Sequence, residues 1–280
     1  MSFFRTLIAT LVLALASFSA HASFTVNQSA GNTTAAANIT ISISVPSGHT
    51  VVVWTYGKGG GSTIGTVTDS AGNTYTLGTA GTNSNFTTGT AWSISIASAI
   101  TSVTYTPPGT ATDSAAIVWD ITATGTIVAG GSNATVYPFN SVTTTDGTTT
   151  GSLSISSSDG LLLGGAVDAS SGNINAGTGF TSDQSFHFGD YRGEHKAVTS
   201  SAAATFTSTA SAGDFILAAG VALYVSAGGG SCTHNFWSST GTFAQPNGTS
   251  GTYWTSSGTF ATPNCTSGSY WRQDGSWAAN

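Results

Sequence analysis

Apolar and polar residues alternate along much of residues 23–226. Ile39, Ile41, Ile43 and Val45 alternate with Thr40, Ser42 and Ser44, and Trp92, Ile94 and Ile96 alternate with Ser93 and Ser95. Successive side chains on a strand point to opposite faces, so a period of two predicts strands with one face in a core and one in water. Four further runs, 49–56, 115–121, 160–167 and 215–225, are apolar on both faces and predict central strands packed between two layers. Turn signals separate the segments: Pro46-Ser47-Gly48, Ser70-Ala71-Gly72-Asn73, Pro107-Pro108-Gly109 and Asp146-Gly147. The pattern predicts an all-β fold, a two-sheet β-sandwich of jelly-roll-like form over 23–226.

Residues 227–231 contain Gly228-Gly229-Gly230 and read as a flexible linker. The tail after it, 232–280, repeats at an offset of 17. Gly241-Thr242-Phe243-Ala244 returns as Gly258-Thr259-Phe260-Ala261, and Tyr253-Trp254 as Tyr270-Trp271. A truncated copy follows, with Gly275-Ser276-Trp277-Ala278 in phase. Each unit is long enough for one short β-hairpin, so the tail is expected to be a small stack of hairpins. Trp237, Trp254 and Trp271 mark one position of the unit, and with Trp277, Tyr253 and Tyr270 they are the candidate ligand-binding residues. Two roles stay open for them. They form the core that such short units otherwise lack, or they stand exposed and stack on sugar rings.

Residues 1–22 read as a signal peptide: Arg5 supplies the positive charge, 7–18 the apolar stretch, and Ala20-His21-Ala22 the cleavage site. The expected location is therefore secreted or at the cell surface, with the periplasm as an alternative. The longest later apolar run, 215–225, falls short of the ~20 residues of a membrane span, so no span is expected after cleavage. In an oxidising compartment Cys232 and Cys265 are a disulfide candidate, with two free thiols as the alternative. Closing that loop would add about 3–4 kcal/mol in the chain-entropy model.

Composition narrows the function. Charged residues make up 6% of the 280, with Lys+Arg 5 against Asp+Glu 11 and a net charge of -6. One Glu and five basic residues are too few for helical bundles, and the acidic balance repels phosphate, so nucleic acid is not an expected partner. The weakly charged, Ser/Thr/Asn-rich surface suits contact with neutral polymers.

The segment Val67-Thr68-Asp69-Ser70-Ala71-Gly72-Asn73-Thr74-Tyr75-Thr76 resembles the "vtDsaGNtYt" hairpin of an uncharacterised jelly-roll-like domain found in exported bacterial and phage-encoded proteins. The resemblance extends over roughly residues 50–225, through 102–106, 115–121, 141–145, Asp159-Gly160-Leu161-Leu162-Leu163-Gly164, Gly179-Phe180-Thr181 and 215–225. It implies the fold, and an appended, non-catalytic binding or structural module. The end, Trp271-Arg272-Gln273-Asp274-Gly275-Ser276-Trp277-Ala278, is similar to short "DGSWA" runs of phage tail and fibre proteins.

Chemistry-bearing residues are scarce. The chain has no nucleophile elbow, His-Glu-x-x-His helix or phosphate loop. One polar cluster stands out: His187, Asp190, Tyr191, Arg192, Glu194, His195 and Lys196. Asp190 and Glu194 could serve as the carboxylate pair of a glycoside hydrolase, and His187, Asp190 and His195 could hold a metal. On a continuous strand, however, Asp190, Arg192 and Glu194 share a face and read as a surface ion-pair ladder. Asp69 with Asn73 offers too few ligands for Ca²⁺ and reads as a turn cap. No catalytic residue, metal or other cofactor is assigned. The expected function is a secreted, non-catalytic surface-binding or adhesion module contacting glycans. The alternatives are a structural subunit of an extracellular filament, sheath or phage-type fibre, in which self-association is expected, and a hydrolase using Asp190/Glu194. Ice binding through the rows Thr66/Thr68, Thr74/Thr76 and Thr104/Thr106 is a further reading.

Overall fold

The computed structural model describes residues 24–35, 38–59, 63–83, 85–109, 111–138, 146–155, 159–168, 173–186, 190–208 and 215–225, together with short strands between 236 and 279. The expected signal peptide at 1–22, the linker at 227–231, Cys232, Cys265, His187 and the 141–145 segment lie outside the described residues.

The described residues form strands and turns, without a helix. The first half contains β1 (Phe24–Thr34), β2 (Ile39–Val45), β3 (Thr50–Lys58), β4 (Thr66–Asp69), β5 (Thr76–Leu77), β6 (Gly81–Thr82), β7 (Phe86–Ser93), β8 (Ile100–Thr106) and β9 (Asp113–Ala123). The second contains β10 (Ile127–Pro138), β11 (Asp146–Thr149), β12 (Gly160–Asp168), β13 (Ile174–Ala176), β14 (Thr181–Phe186), β15 (Tyr191–Val198), β16 (Thr205–Ser208) and β17 (Phe215–Val225). We call these the N-half and the C-half.

The two halves thread their strands alike. The N-half has an inner sheet β1-β9-β3-β7-β5 and an outer sheet β2-β8-β4. The C-half has an inner sheet β10-β17-β12-β15-β14 and an outer sheet β11-β16-β13. Each half is thus a two-sheet antiparallel sandwich in jelly-roll order. The bulge in the first strand recurs as well, between Val26 and Gln28 in β1 and between Ala129 and Gly131 in β10.

The layers stack as outer, inner, inner, outer. One core cluster joins the two inner sheets through Val52, Trp54, Tyr56, Ile117 and Trp119 of the N-half and Leu161, Leu163, Leu217 and Val221 of the C-half. A second joins the N-half sheets through Ile39, Ile41, Ile43, Val51, Val53 and Tyr105. A third joins the C-half sheets through Ala166, Ile174, Phe206 and Ile216. This arrangement explains the runs that are apolar on both faces. They became β3, β9, β12 and β17, each in an inner sheet with a layer on either side. In the outer sheet, β2 keeps a clean alternation of buried and exposed residues.

The inner sheets are also stitched at both edges, in a reciprocal way. Along β1 and β14, Gln184 Nε2 donates to Ser29 O at 2.9 Å, and Ser29 Oγ donates to Asp183 O at 3.4 Å. At the opposite edge, Thr79, between β5 and β6, donates from N to Ser132 Oγ of β10 at 2.8 Å and from Oγ1 to Ser132 O at 3.0 Å. First strand meets late hairpin on each side, the contact pattern of a two-fold pair.

Packing at the centre is not symmetrical. Trp54 pairs with Ile117 of β9, and Gly165 pairs with Ala219 at the matching position of β17, so Trp54 and Gly165 are equivalent by register. They also touch: a Cβ on Gly165 would lie 2.2 Å from Trp54 Cγ. Gly193 likewise leaves room for Ile117 and Trp119, whose side chains a Cβ there would approach to 3.0 Å. The N-half supplies bulk and the C-half supplies space.

Two local expectations are corrected. Asp146-Gly147 opens β11 instead of making a turn, because pairing with Ser208 and Thr207 completes the outer sheet. The alternation at 92–96 is not one strand. β7 ends at buried Ser93, paired with Val51, and the chain then turns through Ser95 at φ 51°.

In the tail, Phe236–Trp237 (β18) pairs with Phe243–Ala244 (β19), Tyr253–Trp254 (β20) with Phe260–Ala261 (β21), and Ser269–Trp271 (β22) with Trp277–Ala279 (β23), all antiparallel.

Candidate functional site

The polar cluster selected from the sequence sits mainly on β15, and the pleat divides it. Tyr191 and Gly193 face the N-half. Arg192, Glu194 and Lys196 face β13 and the segment that joins it to β14. Tyr191 is core: its ring stacks on Phe186 with centroids 5.0 Å apart and meets Tyr56 edge-on at 5.8 Å.

The three residues on the other face each hold backbone of that segment. Arg192 Nε donates to Ile174 O at 3.0 Å, Gly177 N donates to Glu194 Oε2 at 2.8 Å, and Lys196 Nζ donates to Thr178 O at 3.3 Å. Arg192 Nη1 also donates to Ser182 Oγ at 2.7 Å. Lys196 lies over the Phe180 ring, 5.1 Å from its centroid. Arg192 and Glu194 do share a face, as the strand pattern requires, but not a solvated one. The expected surface ladder is therefore corrected: Glu194 is 0% exposed and Asp190 is buried. The outer sheet and its connecting segment cover Glu194, and a period of two does not reveal which face is covered. Burial pushes the Glu194 carboxyl up to about 8, against the pull of the Gly177 and Thr205 amides. A sugar ring has no access to this carboxyl, so the Asp190/Glu194 hydrolase reading lacks its acid/base pair at a substrate surface.

Two histidine–aspartate pairs complete the polar structure, and the sequence did not single out their acids. His195 Nδ1 lies 2.7 Å from Asp183 Oδ1, and Trp119 Nε1 of the N-half donates to Asp183 Oδ2 at 2.8 Å, so this acid ties the halves together. His49 Nδ1 lies 2.7 Å from Asp120 Oδ1, which also accepts from Asn27 Nδ2 at 3.2 Å, while Gln28 Nε2 donates to Asp120 Oδ2 at 3.1 Å. Asn27 occupies the β1 bulge, and that extra residue brings two amides onto one buried acid. For Asp120 the available signal was the rarity of acids: in a chain with 6% charged residues, an Asp within the apolar stretch of β9 implies a partner. Among the described residues no group of three or more His, Cys, Asp and Glu side chains could hold a metal ion, and His187 is not among them.

Asp69 is the turn cap the sequence implied. It accepts from Ala71 N at 2.9 Å, Asn73 N at 3.1 Å, Asn73 Nδ2 at 3.0 Å and Tyr75 Oη at 3.1 Å. A recess of about 230 Å³ lies where the halves join, lined by Thr50, Ser95, Thr122 and Thr126 among others, none of them charged. In the tail, the backbone register places Trp237 opposite Phe243, Trp254 opposite Phe260, and Trp271 opposite Trp277. Tyr253 and Tyr270 sit opposite Ala261 and Ala278. The side chains of these residues lie outside the description, as do both cysteines.

No family model matches the chain, and no curated protein does. Among solved structures, the major capsid protein P2 from bacteriophage PM2 aligns with it at 10% identity, over 73% of this chain and 97% of that chain, with a TM-score of 0.23. No helix among the described residues is long and apolar enough to cross a membrane.

Proposed function

We propose that the protein is a non-catalytic structural subunit of an extracellular filament, sheath or phage-type fibre, with the stacked sandwich as its rigid block. The observation that carries this reading is the use of its ionisable groups. Asp69, Asp120, Asp183, Arg192 and Glu194 are each engaged in holding a turn, a bulge, a strand or the two halves together. A catalytic pair needs an acid and a base open to substrate. Low charge supports the same reading, since weak mutual repulsion permits close packing of many copies. The signal peptide expected at 1–22 fits a subunit that works outside the cytoplasm. Electron microscopy and sedimentation of the purified full chain test it: ordered polymers are expected, and monodisperse monomers across the accessible concentration range would overturn it.

A second reading is adhesion to glycans through the tail, favoured by the recurrence of Trp at one strand position opposite an aromatic residue. Glycan-array binding that drops on Trp254→Ala supports it, and its absence in the wild type removes it.

A further inference from the structure

Glu194 is the single glutamate of the chain, and its surroundings differ from those of the acids described above. It lies between the inner and outer sheets of the C-half, opposite Gly164 of β12 and Ser182 of β14. Its Oε2 accepts from Gly177 N, and the Thr205 amide also favours the anion, yet Oε1 is buried without a hydrogen bond of its own among the described residues. Its cover combines the paired strand β16 with a segment whose outer side is exposed. The segment 174–180 runs over it, with Asn175, Thr178 and Gly179 exposed and Gly179 in the left-handed region at φ 78°.

We propose that Glu194 is a proton-operated latch: protonated, it lets the 174–180 segment and strand β16 close over the inner sheet, and on losing its proton it drives that cover open. The physical argument concerns where a charge can go. A carboxylate with one oxygen unpartnered in a dry layer is strongly disfavoured, and opening a solvent-exposed segment to hydrate it costs less. The charged groups acting on Glu194 are few. Asp183 on β14 opposes its ionisation, and Arg192 on its own strand favours it. The groups facing it from β12, from the end of β13 and from the start of β16 are Gly164, Gly177 and Thr205, all uncharged. Burial is the main cause that pushes the carboxyl up to about 8, which places the release in mildly alkaline solution. Arg192 and Lys196 tether Ile174 O and Thr178 O independently of the proton, so the cover lifts without leaving the strand.

A single glutamate makes the test direct. In full-length protein labelled with ¹³C-glutamate, one side-chain carboxyl resonance follows Glu194. A midpoint near pH 8 is expected, and a midpoint in the ordinary range, about 4.3, overturns the proposal. Amide hydrogen exchange of 174–180 and 205–208 is then followed from pH 7 to 9. In the wild type it should exceed the intrinsic base-catalysed rise by about tenfold, the effect of one pK unit of coupling. In Glu194→Gln it should follow the intrinsic rise alone. An equal excess in Glu194→Gln, or none in the wild type, overturns the latch. If Glu194→Gln does not fold, the wild-type resonance and exchange, which must change at the same pH, decide.

Discussion

The N-half and the C-half run their strands in one order, yet they fix the corresponding turn between the second-sheet strand and the next hairpin in opposite ways. In the N-half, Asp69 sits beside the turn it caps, partly open to water. Burial alone would raise its carboxyl, but Asn73, the Ala71 and Asn73 amides and Tyr75 together hold it below the usual range. In the C-half, the segment after β13 carries no acid of its own, and Glu194 reaches it from the sheet beneath, its carboxyl raised by burial. A local acid that sees water stabilises as an anion, whereas a distant acid sealed under the chain it holds stabilises only with its proton. The same topology therefore responds to pH with opposite signs in its two halves.

The largest expected effect sharpens the contrast of bulk and space. Trp54→Ala removes the ring that fills the gap above Gly165 and should lower stability by about 3–5 kcal/mol, read by denaturant unfolding. Both halves should lose exchange protection together, and loss confined to the N-half would break the idea of a shared core. Next is the pH response. Glu194 favours folding below its unfolded value of 4.5, and that advantage disappears as pH rises towards about 8. Glu194→Gln should therefore be more stable than the wild type at pH 9, by roughly 4–5 kcal/mol, with the gap closed at pH 4. Gly165→Ala should destabilise by roughly 1–3 kcal/mol, because its new Cβ meets the Trp54 ring at the centre of the interface. A double-mutant cycle with Trp54→Leu should recover part of that loss. Smallest is Asp69→Ala, at about 1 kcal/mol at neutral pH. Its difference from the wild type should shrink on acidification, since the anion's contribution is lost as pH falls through the lowered carboxylate range.

Much of the fold was legible from the chain. The runs at 49–56, 115–121, 160–167 and 215–225 became the inner strands, and the pattern at 39–45 became an outer one. The runs apolar on both faces also carried information that a two-sheet expectation leaves unused. A strand dry on both faces requires a layer on each side, so two such pairs imply four sheets. The repetition of strand order was harder to see, because the matching positions have diverged in size: Trp54 faces Gly165, and Trp119 corresponds to Val221. For the polar residues, strand parity correctly grouped Arg192 with Glu194, but it says nothing about coverage, which depends on β13 and β16. Asp183 escaped notice because it lies on the neighbouring strand, outside the selected cluster, and strand pairing, not sequence spacing, brings it to His195 and Trp119.

Only residues 124–126 separate β9 from β10. The N-half alone leaves Val52, Trp54, Tyr56, Ile117 and Trp119 without a covering layer on one face, because that layer is the inner sheet of the C-half. A chain cut after β9 should therefore aggregate instead of folding on its own, since an apolar layer of that size needs its partner.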